Sequence, residues 1–101
     1  MKKATFYTLM RTWYGDPYAV AVNGYTDADT QTSYYKSGRT WFAIDNQTGY
    51  AIANADTLRQ AHARAIQKDR QDALQKTIKQ RPYLVTQFSN AVKIARQGAS
   101  A

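Results

Sequence analysis

Residues 39–60 read RTWFAIDNQTGYAIANADTLRQ, and this stretch decides the fold class. From Arg39 to Ile44, Trp41 and Ala43 alternate with Phe42 and Ile44, the period of two that places successive side chains on opposite faces of a strand. Asp45-Asn46-Gln47-Thr48-Gly49 is a Gly-containing turn, and Tyr50 to Ala53 resumes the strand pattern, so the segment predicts a hairpin. Directly after it Asp56 or Thr57 offers an N-cap. Thr57-x-x-Gln60 fits a capping box, in which hydroxyl and amide satisfy orphan backbone donors at a helix start. Sheet therefore gives way to helix within a few residues.

Working toward the N-terminus, Thr26 to Gly38 is polar without either periodicity and reads as a long polar loop over residues 26–38. Residues 4–23 alternate large side chains on both sides of Gly15-Asp16-Pro17 and predict another hairpin, with Asn23-Gly24 as an alternative turn. Toward the C-terminus, Leu58, Ala61, Ala65 and Ile66 form one apolar stripe, and Ala73, Leu74, Thr77 and Ile78 continue it. Gln67 to Asp72 contains no apolar residue, so an overhanging helix and a break near Lys68 both fit; helix propensities favour one continuous helix over 57–80. Pro82 ends it, because the residue before a proline is pushed out of the helical region. Leu84, Phe88, Ala91, Val92 and Ala95 predict a second helix over 83–97, ended by Gly98, with a frayed tail over 98–101. The expectation is one α+β domain: an antiparallel sheet of about four strands within residues 4–54, followed by two helices packed on one face.

The 101 residues, 44% of them hydrophobic, suffice for one core, and the absence of cysteine excludes disulfides and thiolate metal sites. No run approaches the roughly 20 apolar residues of a membrane span, and the N-terminal residues are too polar for a signal-peptide core. A soluble, cytoplasmic protein is expected. Charge is divided unevenly: residues 1–55 hold five cations against four Asp, whereas residues 56–101 hold nine against three, so the net charge of +7 belongs mainly to the helical half. Eleven of the thirteen aromatic residues lie between Phe6 and Tyr50, which is more than one buried sheet face needs, so Tyr14, Tyr18, Tyr34 and Tyr35 are expected to be exposed.

Catalytic chemistry finds little support. The one histidine, His62, lies in a predicted helix and reads as a partly exposed helix residue. Ser33, Ser37 and Ser89 lack the setting of an activated nucleophile. Asp27 to Gln31 begins like a calcium loop, but Thr32 and Gly38 stand where the required Gly and Glu belong. The five glycines are scattered singly and form no phosphate loop. No catalytic residue, metal or cofactor is therefore assigned.

The expected function is a small, basic, non-enzymatic protein that docks on nucleic acid through Arg59, Arg64, Lys68, Arg70, Lys76, Lys79 and Arg81, aided by the loop residues Tyr34, Tyr35, Lys36 and Arg39. The alternative is an inhibitor that binds a host protein, such as a nucleic-acid-processing nuclease, through the same loop and aromatics. A homodimer is left open by the sheet edges and the apolar stripe of the second helix. The Trp41 strand, the Asp45 to Gly49 turn, the second strand and the helix opening at Thr57-Leu58 resemble the arm-binding domains of phage-type integrases, which implies a sheet set in a DNA groove. Those domains carry basic strands, whereas these strands are aromatic and the helix is basic. In small size and a basic, Tyr-rich surface, the chain also resembles the inhibitors that phages and plasmids direct at host enzymes, anti-CRISPR proteins included.

Overall fold

A computed structural model of the chain describes the backbone of residues 1–100 and the side chains of residues 1–98. Five strands, β1 (Lys2–Met10), β2 (Tyr18–Asp27), β3 (Thr32–Ser37), β4 (Thr40–Asp45) and β5 (Ala51–Ala55), form one antiparallel sheet in chain order. Three helices follow: α1 (Leu58–Ala65), α2 (Lys68–Gln80) and α3 (Tyr83–Ser100). The α+β class and the order of sheet and helices are as expected, with one more strand and one more helix.

The extra strand is β3, cut from the stretch expected to be a loop. Strand β2 runs on through Asn23-Gly24 to Asp27, and β3 pairs with it through Tyr25↔Tyr34, Thr26↔Ser33 and Asp27↔Thr32. Its buried residues are hydroxyl-bearing, so no apolar alternation marks it. Thr32 and Tyr34 are wholly buried, with a hydrogen bond of 2.8 Å between their hydroxyls, and Thr30 Oγ1 lies 2.7 Å from Thr32 Oγ1. Ser33 donates to Asn46 Oδ1, and its hydroxyl oxygen lies 3.0 Å from Thr26 Oγ1. Buried polar groups are tolerated when paired, and among the described residues no buried side-chain polar atom lacks a partner.

The extra helix arises from a break at Ile66-Gln67. Ile66 leaves the helical region at φ −90° and ψ 1°, and Gln71 Nε2 caps the freed Ala65 carbonyl at 2.6 Å. With no apolar side chain in residues 67–72, nothing holds a straight continuation against the sheet, and α2 has no fully buried residue. The start of α1 follows the sequence: the Thr57 hydroxyl accepts from Gln60 N at 3.1 Å. Pro82 separates α2 from α3 as expected. Backbone of α3 continues through Ser100, so Gly98 does not end it; the remainder of the expected frayed tail lies outside the described residues.

Two core clusters anchor the layers. Ala61 and Ala65 of α1 pack on Tyr34, Ala43, Ala53 and Ala55, the small side chains allowing a close helix-to-sheet approach. Phe88 and Ala91 of α3 pack on Leu9 and Ala19 of the β1–β2 hairpin. Gly49 joins this second cluster to the β4–β5 turn. Its φ of +72° and the Phe88 ring, 2.4 Å from where a Cβ would stand, both exclude a side chain, while its carbonyl accepts from Leu9 N at 3.0 Å. Among the described residues no helix is long and apolar enough to cross a membrane.

Candidate nucleic-acid interface

The helix break leaves the seven cations expected to contact a partner in four settings. Arg64 and Arg70 turn to β5, the edge of the sheet: Arg64 Nη1 donates to the Asn54 carbonyl and Arg70 Nη1 to the Ile52 carbonyl, each at 2.7 Å. They saturate alternate carbonyls of an exposed edge, one of the devices by which sheets avoid pairing with other chains. Lys68, Lys76 and Lys79 fall within an arc of about 80° on α2 at 3.6 residues per turn, with Asp72 inside the arc and Asp69 at its margin. All three lysines are exposed, and among the described residues none has an ion-pair partner. Asp69 is engaged at the helix start, where its carboxylate accepts from Arg70 N at 3.0 Å and meets the positive end of the helix dipole. Arg59 is exposed on α1.

Arg81 lines a cleft of about 480 Å³ with Arg11, Tyr50 and Tyr83. Arg11 is fixed there by a hydrogen bond of 2.7 Å to the Tyr50 hydroxyl and by its position 4.9 Å above that ring. Trp13 and Tyr14, next in the chain, are 96% and 101% exposed, the extreme values among large apolar residues here. Tyr14 and Tyr18 are thus exposed as expected.

The four expected loop contacts belong to β3 and its turn and do not act together. Tyr34 is a correction: its ring is wholly buried under α1 and cannot touch a partner, because β3 directs it into the core. Tyr35 points to the opposite face, in a half-buried row with Phe6 and Phe42 whose ring centroids lie 6.2 and 5.6 Å from its own. Arg39 is exposed in the β3–β4 turn. Lys36 lines a groove of about 610 Å³, together with Lys3, Thr5, Asn23, Tyr25 and Trp41. Here register does what sequence reading missed. Lys3 stands opposite Tyr25 and Lys36 opposite Trp41, and the two rings meet in the middle with centroids 6.2 Å apart at 41°. No acidic residue lines the groove.

His62 is more than an ordinary helix residue. Its Nε2 lies 2.9 Å from Asp27 Oδ2, an ion pair when the imidazole is protonated, and its ring meets the edge of Tyr34 with centroids 5.5 Å apart. Asp27 also accepts from Asp29 N. The hydrogen bond from His62 leads the influences that hold the Asp27 carboxyl below its ordinary range, and burial pushes the Tyr34 hydroxyl above its own. This network ties α1 to the β2–β3 turn. Among the described residues no group of three or more His, Asp or Glu gathers as a metal site would require.

Comparison of the chain with family models, with curated proteins and with solved structures gives no match.

Proposed function

We propose that this chain is a small, basic, non-enzymatic binding protein that docks on nucleic acid in the cytoplasm. The observation that carries the reading is the solvent-facing lysine set of α2: Lys68, Lys76 and Lys79 share one face, without ion-pair partners among the described residues, on a chain of net charge +7. Unpaired cations held on a rigid helix release counterions from a phosphate backbone when they dock, the term that dominates affinity for nucleic acid whatever its sequence. Arg59, Arg81 and Arg39 add exposed charge, whereas Arg64 and Arg70 spend part of their donor capacity on the β5 edge. The triple replacement Lys68→Ala, Lys76→Ala and Lys79→Ala tests this reading. It should weaken binding to all sequences about equally, and unchanged binding would refute the assignment to α2.

The Trp13-Tyr14 tip favours a second reading, an inhibitor that inserts these rings into a host protein such as a nuclease. Rigid aromatic anchors dominate such interfaces, and the tip presents two of them almost wholly in solvent. Under this reading Trp13→Ala abolishes partner capture and the lysine replacements do not.

A further inference from the structure

We propose that the groove between Lys3 and Lys36 binds unpaired bases, making single-stranded nucleic acid the ligand class; this rests on the nucleic-acid reading above. The groove lies on strands rather than on a loop, so its side chains are held by sheet register. Its floor is the Tyr25–Trp41 pair, half-buried and tilted so that the rings do not stack on each other. Its rim carries two exposed ammonium groups, each opposite one of the rings, and no carboxylate opposes them. Thr5 donates to Asn23 Oδ1 at 2.8 Å, leaving the Asn23 amide N–H groups available to a base edge.

Cations beside aromatic faces suit a strand of phosphates bearing planar, unstacked bases. In a duplex the base faces are already covered by their neighbours, so it could use the lysines but not the rings. A free nucleotide shares the ligand chemistry but would gain from one phosphate only.

The test uses the full chain carrying Trp13→Phe, which leaves Trp41 as the sole tryptophan reporter and changes a residue almost wholly in solvent. Titration with a short oligothymidylate should quench Trp41. Adding Lys3→Ala and Lys36→Ala should lower affinity about 25-fold near 0.1 M salt and reduce the log–log salt slope by about 1.4, from two lost phosphate contacts on a single strand. Because both lysines are exposed, these replacements leave the core intact, which the circular dichroism spectrum verifies. Equal quenching by a duplex hairpin, equal affinity for thymidine monophosphate, or unchanged affinity in the double variant would each overturn the groove assignment. Duplex binding that ignores Lys3 and Lys36 but responds to the α2 lysines would overturn it while leaving the nucleic-acid reading in place; absence of binding to any nucleic acid would overturn both.

Discussion

Gly24→Ala should be one of the most destabilising single methyl additions in the sheet. A Cβ built on Gly24 would stand 1.9 Å from the Tyr34 carbonyl oxygen, 2.9 Å from its carbon and 3.2 Å from Phe6 Cε1. Ordinary contact needs about 3.5 Å, so β2 and β3 would have to separate by roughly 1.5 Å. The obstacle is backbone, which no rotamer change can move aside. Gly24 has no positive φ, so the effect is steric rather than a conformational penalty on alanine. Three residue pairs join β2 to β3, and a displacement of that size breaks their ladder. Overpacking costs about 1–3 kcal/mol, and two or so lost hydrogen bonds cost about 1 kcal/mol each, a total of roughly 3–5 kcal/mol. For a domain of this length that lowers Tm by about 14–24 °C. Thermal melts of the wild type and Gly24→Ala measure it, with amide exchange at residues 32–36 showing whether the loss is local to β3. A Tm within about 2 °C of wild type, with unchanged exchange, would refute the β2–β3 packing on which both the core and the groove depend.

Further outcomes follow from the same geometry. The double replacement Arg64→Ala and Arg70→Ala should cost about 1 kcal/mol per lost hydrogen bond, tempered by exposure, and should raise concentration-dependent association by uncovering the β5 edge; light scattering against concentration reads the second effect. Asp27 has a carboxyl held below its ordinary value of 3.8, so its contribution to stability is present above that value and fades as pH falls through the lower, folded-state value. Asp27→Asn should therefore narrow the stability difference between pH 6 and pH 3 in urea unfolding, and an unchanged pH profile would contradict the His62–Asp27 coupling.

The β4–β5 hairpin, the Thr57 cap and the stop at Pro82 were legible in sequence because each rests on local chemistry: alternating large residues around Gly49, a hydroxyl placed before a helix, and a proline ring that pushes the preceding residue out of the helical region. Strand β3 was not, since Thr32, Ser33 and Tyr34 bury hydroxyls that only the surrounding residues Thr26, Thr30 and Asn46 make affordable. The break at Ile66-Gln67 carries neither Gly nor Pro, and the Gln71 side chain that caps it becomes visible only after the chain has turned. For the candidate site, composition located the cations but not their employment. Arg64 and Arg70 look like Lys68 and Lys79 in sequence, yet two are held at a sheet edge and two face solvent. Lys3 and Trp41 lie 38 positions apart and share a groove only because three strand pairings are in register, information that no local window contains.

The most direct measurement is the affinity of the unmodified protein for single-stranded and duplex nucleic acid across a salt series. The nucleic-acid reading predicts binding at low salt with log K falling linearly against log salt at a slope of about −2 or steeper, equivalent to three or more neutralised phosphates. Absence of binding at low salt, or an affinity indifferent to salt, would contradict it.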